Sequence, residues 1–283
     1  MAGQSNSLIN RLEREFPEGL LADTAWFGKQ GFSRQLLNHY VTTGWLEQPA
    51  RGVYRRPRGA LTWQQVVISL QTLLQSPVAV GGRTALELQG HAHYLSFDQR
   101  EVHLYSAKEL PKWVGALDLA IRFVQHDDKR LFHNEPIHRA LTNLSLNLKN
   151  GASTNTDPIH GNSFNTVPWG QWDWPLTLST VERAYLEFLD EVPNRASFDL
   201  ADKLMEGLTS LSPRRLQKLL VDCKSVKVKR LFFFFADRHQ HAWLKHLKKG
   251  AIDLGKGKRM LAKDGRLDKT YQITVPQELY AAS

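Results

Sequence analysis

Apolar residues return every three or four positions at the start of the chain, where Leu8, Ile9, Leu12 and Phe16 share one face. That spacing predicts an amphipathic helix over residues 7–15, closed by Pro17 and Gly19. A second, shorter helix is expected to begin at Asp23 or Thr24, either of which can cap it, and to run through Trp26 and Phe27 to Gly31. A third takes Ser33 as its N-cap and Gly44 as its C-terminal glycine. Its apolar stripe is Leu36, Leu37, Tyr40 and Val41, and its other face carries Arg34, Gln35, Asn38, His39 and Thr42, side chains that pair with phosphates or base edges. Trp45-Leu46 and Gly52-Val53-Tyr54 then read as two short strands about a turn at Pro49-Ala50-Arg51. Three helices and a hairpin make a winged helix-turn-helix. The wing and its trailing edge hold Arg51, Arg55, Arg56 and Arg58 with no acid between them. Arginines so placed lie along a DNA backbone or enter the negatively charged minor groove.

Beyond residue 60 the pattern becomes mixed. A helix is expected over residues 62–75, stopped by Pro77, then a short extended piece at Val78 entering another helix. Residues 102–105 and 120–124 cluster apolar side chains as strands do, and residues 147–165 form a polar run that reads as an exposed loop or linker. Ser179 with Glu182 three positions on suggests a capping box for a helix ending at Pro193. A helix pair at 198–208 and 213–223 follows, the latter with proline at its first position. Lys227-Val-Lys229-Arg230 is taken as a basic strand, and the apolar block 231–236 fits one buried strand or a helix turn. A helix near 242–247 and an extended basic tail to Val275 complete the chain. The expectation is an α+β protein with a winged domain at 1–60 and a larger mixed α/β domain at 61–283, for which a subdivision near 150–170 is left open.

Charge sharpens this division. The chain's net charge of +9 is uneven: residues 214–270 hold seventeen Lys and Arg against five Asp and Glu, while residues 61–213 are net acidic. Basic surfaces recruit polyanions by releasing condensed counterions, so nucleic acid is the leading partner class. No apolar run suits a membrane span or a secretory leader, and a single cysteine, Cys223, gives no disulfide framework. No membrane partner is expected, and the cytoplasm is the default compartment.

Catalytic patterns are missing. Gly81-Gly82 lacks the phosphate-loop spacing, no Gly-x-Ser-x-Gly occurs, and Glu101-Val-His103 has histidine where a nuclease strand carries lysine. The histidine pairs His91/His93 and His239/His241, with His246 beyond, lack the i, i+4 spacing of a zinc helix. The sequence therefore gives no metal ligands, no cofactor and no enzyme assignment.

Several local motifs then fall in one order: Gly31-Phe-Ser33, Gly44-Trp-Leu46, Arg51-Gly-Val-Tyr54, Val78-Ala-Val-Gly-Gly-Arg-Thr-Ala85, Ser179-x-x-Glu-Arg-Ala184 and Val226-Lys-Val-Lys-Arg-Leu231. In these the chain resembles the AbiEi antitoxins of bacterial abortive-infection toxin-antitoxin systems, usually classed as type IV, over nearly its whole length. The resemblance implies a repressor that binds inverted repeats in duplex DNA upstream of its own operon. It implies further that the C-terminal region counters a nucleotidyltransferase-like toxin. DNA contact would fall to Ser33, Arg34, Gln35, Asn38 and His39 of the reading helix and to Arg51, Tyr54, Arg55, Arg56 and Arg58 of the wing. Lys227, Lys229 and Arg230 become candidates for the antitoxic surface or for auxiliary nucleic-acid contact. A polar insertion near Asn155 departs from the family pattern. A regulator without antitoxin activity, and an RNA-binding or RNA-processing protein using the basic C-terminal segment, are the alternative readings.

Overall fold

A computed structural model of the chain describes residues 2–91, 100–134 and 163–281. The polar run around Asn155 and His93 lie outside the described residues.

The N-terminal unit forms as its capping residues dictate. Helix α1 (Ala2–Glu15) is followed by strand β1 (Leu21–Asp23), helices α2 (Thr24–Lys29) and α3 (Arg34–Thr42), and strands β2 (Glu47–Ala50) and β3 (Val53–Arg55). Asp23 accepts the Trp26 amide at 2.8 Å and Ser33 accepts the Leu36 amide at 3.2 Å, each satisfying an N–H that the helix leaves open. Gly31, at φ +81°, turns the chain between α2 and α3. At the wing tip the Gly52 carbonyl accepts from the Thr24 amide at 2.9 Å and the Thr24 hydroxyl at 3.0 Å, which pins the hairpin to the start of α2. The strands pair as β1-β3-β2, antiparallel throughout, so the wing has one more strand than the hairpin expected from sequence. Phe27 centres the core here, fully buried and edge-on to Phe16, Trp26, Phe32 and Tyr54.

Helix α4 (Trp63–Gln71) joins this unit to the rest. It is capped reciprocally by Thr62 and Gln65, and its Ser69 hydroxyl accepts the Leu21 amide at 2.8 Å. Leu20, Leu21, Ala50 and Val53 share one apolar cluster with α4 and the larger core, so packing is continuous across residue 60.

That larger part is built on a five-stranded sheet ordered β6-β5-β4-β8-β7. Its strands are β4 (Val78–Val80), β5 (Glu101–Ser106), β6 (Arg122–His126), β7 (Phe164–Trp169) and β8 (Trp174–Ser179). The β4–β8 and β5–β6 pairs are parallel, the other two antiparallel. The Gln71 side chain bridges the β4–β8 seam, donating to the Val78 and Thr177 carbonyls at 3.0 and 2.9 Å and accepting the Thr177 amide at 3.0 Å. Helices α5 (Gly82–Leu88), α6 (Val181–Glu191), α7 (Phe198–Gly207), α8 (Pro213–Asp222) and α9 (Val226–His239) follow, with strands β9 (Arg266–Asp268) and β10 (Ile273–Val275) as a separate antiparallel pair. The expected α+β class is what is found.

Two readings of this region are corrected. Ser179 does not cap α6: it ends β8, Thr180 takes the cap position, and Glu182 turns to the Ser212 amide at 2.8 Å and Arg215 at 2.9 Å. Residues 226–239 form a helix rather than a basic strand, because Ser225 caps them and both sides of Leu231–Ala236 are buried. Among the described residues no helix is long and apolar enough to cross a membrane.

Candidate nucleic-acid interface

Helix α3 divides as its sequence pattern requires. Leu37 and Tyr40 are buried and Leu36 and Val41 half-buried, which fixes the helix against α1 and α2 and turns Arg34, Gln35, Asn38, His39 and Thr42 outward. The side chains of Arg34, Gln35, Asn38 and His39 make no hydrogen bond or ion pair to any described residue. Ser33 is also exposed, but its hydroxyl oxygen is engaged as the N-cap. At the wing tip Arg51 is exposed and likewise without an intramolecular partner. Donors held out on a rigid helix and a short hairpin, with no internal partner to give up, lose little on meeting a ligand.

The remaining wing residues serve the fold. The Tyr54 ring is buried against Phe27. Arg55 is 6% exposed, its guanidinium 2.5 Å from Glu47 and 2.7 Å from the Gly59 carbonyl. Arg56 donates to the Glu13 and Phe16 carbonyls, both at 3.1 Å, and to Glu18 at 3.0 Å. Arg58 pairs with the other oxygen of Glu18 at 2.5 Å and lies 5.5 Å from the ring of Trp172 in the β7–β8 turn. The expectation of four free wing guanidinia thus reduces to Arg51. Glu18 and Glu47, remote in sequence from the arginines they bind, are the reason.

Two exposed residues that the sequence pattern did not mark belong on the same unit. Lys29 ends α2 without a partner among the described residues, and Trp45 follows α3 at 41% exposure. Trp45 stands out only once its neighbour Leu46 is seen to take the core position.

The C-terminal candidates move inward too. Lys229 and Arg230 are buried in α9, and the half-buried Lys227 donates to the Asp190 and Val192 carbonyls at 2.6 and 2.8 Å. Burial lowers the pKa of Lys227, against the pull of Asp190, and lowers that of Arg230. Arg230 binds the carbonyls of Leu254, Gly255, Gly257 and Gln272 at 2.7–3.2 Å. It is therefore a clamp for the following loop, and it is that loop which carries exposed charge: Lys256, Lys258, Arg259 and Lys263.

Arg55 yields an outcome that separates scaffold from contact. Arg55→Ala is expected to lower stability by about 1.5–3 kcal/mol, the usual range for a charged hydrogen-bonded group, in a thermal melt followed by circular dichroism.

Residues 5–97 match the family described as "Transcriptional regulator, AbiEi antitoxin N-terminal domain". Residues 99–276 match "Transcriptional regulator, AbiEi antitoxin, Type IV TA system". The chain belongs to the AbiEi family. Its family is thus one of transcriptional regulators and antitoxins rather than a known enzyme family. The AbiEi fold is seen again in the crystal structure of the RV2827C protein from Mycobacterium tuberculosis, which covers 95% of this chain and 90% of its own at a TM-score of 0.52. At 15% identity that likeness is one of fold. No curated protein sequence matches the chain.

Proposed function

We propose that this AbiEi chain is an autorepressor whose residues 1–60 bind inverted repeats in duplex DNA upstream of its own operon, and whose remaining residues counter a nucleotidyltransferase-like toxin. One observation carries the DNA reading: Arg34, Gln35, Asn38 and His39 stand exposed, with side chains unpartnered among the described residues, on a helix whose opposite face is packed into the core. In the proposed complex α3 enters the major groove, Asn38 and Gln35 meet base edges, and Arg34, Arg51 and Lys29 meet phosphates. The exposed loop Lys256–Lys263, clamped by Arg230, replaces Lys227, Lys229 and Arg230 as the candidate antitoxic or auxiliary nucleic-acid surface.

Asn38→Ala tests the reading role. Against duplex from the operon's upstream region and a scrambled duplex of equal length, the wild-type chain should prefer the former. The variant should lose about 1–3 kcal/mol of that preference, roughly a five- to 150-fold drop in the affinity ratio, with little change on the scrambled duplex. An unaltered ratio removes Asn38 from the interface. Co-expression with the neighbouring gene, scored as growth rescue, tests the antitoxin half: growth inhibition by the neighbour that this chain does not relieve contradicts it.

A further inference from the structure

Away from the winged unit, two histidines and a glutamate from three separate elements converge on one point. In the parallel pair β5–β6, Tyr105 stands opposite His126, and His103 lies two residues before Tyr105 on the same face. Helix α6 ends at Glu191 against that face. His103 Nδ1 lies 3.0 Å from His126 Nε2 and 3.0 Å from Glu191 Oε1, and His126 Nε2 lies 3.8 Å from the same oxygen. Tyr105 stacks on His126 at 4.6 Å between ring centroids, with 13° between their planes, which fixes the imidazole's orientation.

Hydrogen bonding does not account for this arrangement. A hydrogen on His103 Nδ1 points at one of its two neighbours, not both. The Glu191 side chain is only 8% exposed, yet among the described residues its Oε1 has no hydrogen-bond partner of acceptable geometry. A buried carboxylate oxygen left so costs free energy unless something else satisfies it.

The spacing suits a metal ion. The circle through the three donor atoms has a radius of about 1.9 Å, so a point about 2.05 Å from each, the zinc bond length to imidazole nitrogen or carboxylate oxygen, sits about 0.7 Å off their plane. That offset is the one a tetrahedral centre has from the plane of three of its ligands. We propose that His103, His126 and Glu191 bind one divalent transition-metal ion of the zinc class, with its fourth position open to the adjoining cleft. Two imidazoles and a carboxylate select such ions over magnesium or calcium, which take all-oxygen sets. Tyr105, Arg130, Asp190 and Arg195 join His126 and Glu191 in lining that cleft of about 300 Å³. Behind His103, the Glu101 carboxylate lies 4.0 Å from Nε2, beyond hydrogen-bond reach, and is paired instead with Arg122.

Cobalt(II) added to the EDTA-treated full-length chain tests this directly. The expected result is one equivalent bound, with the visible absorption of a four-coordinate centre, and a rise in thermal midpoint with zinc(II). His126→Ala, at the most exposed of the three ligands, should keep the native circular dichroism spectrum and lose both effects. Glu191→Gln should weaken binding by at least about tenfold. Wild-type protein that binds no cobalt, or a folded His126→Ala variant that binds as wild type does, overturns the proposal.

Discussion

Glu187→Ala should cost about 3–5 kcal/mol, the usual consequence of leaving one charge of a buried pair alone. In a chain of this size that lowers the thermal midpoint by roughly 5–8 °C. Arg183 and Glu187 sit one turn apart on α6 with both side chains 0% exposed and Nε 2.7 Å from Oε1. The carboxylate also accepts the Ser179 hydroxyl at 3.1 Å and the Gly82 amide at 2.9 Å, joining α6 to the end of β8 and the start of α5. The guanidinium lies 4.5 Å from the Phe132 ring and 4.4 Å from the Phe164 ring. Burial raises the Glu187 pKa, and Arg183, with the Gly82 amide and the Ser179 hydroxyl, pulls it partly back down. Removing both charges together, as in Arg183→Met with Glu187→Leu, should recover most of the loss, since apolar replacements of buried pairs are often neutral. A calorimetric midpoint for Glu187→Ala within 2 °C of wild type, or a double variant less stable than the single, contradicts this account.

Phe27→Ala should cost about 3–5 kcal/mol by opening a cavity, and the loss should concentrate in the winged unit. The ring is fully buried and touches aromatic side chains from Phe16 just past α1, the α2–α3 turn and β3, so no single neighbour can collapse into the space. Hydrogen exchange is the measurement that checks it. Amides of α2 and α3 should lose protection before those of α6 and α9, and equal loss in both regions would mean that the two cores open as one.

Legibility along the sequence followed the range of the forces at work. The winged unit could be read because its caps, Asp23 and Ser33, and its turn glycine, Gly31, act within a few residues. Strand β1 could not, because three residues show no period and its partner β3 lies thirty residues on. The wing arginines misled for a related reason: charge counted along the chain does not reveal that Glu18 and Glu47 fold back onto Arg55, Arg56 and Arg58. In 226–239 an apolar block suited either strand or helix, and Ser225 was the signal that decides. At Gly81 the glycine serves packing, since a side chain there would collide with Glu187 and Tyr105. The His103, His126 and Glu191 cluster was out of reach of spacing rules, since its members come from two strands and a helix.

The salt dependence of DNA binding by Arg34→Ala with Arg51→Ala tests the central claim most directly. Each lost phosphate contact removes about 0.9 from the slope of log affinity against log salt, so the double variant should show a slope shallower by about two units. Arg55→Ala, whose guanidinium is committed to Glu47, should keep the wild-type slope. A double variant that binds operator duplex with wild-type affinity and slope would contradict the assignment of α3 and the wing tip to DNA.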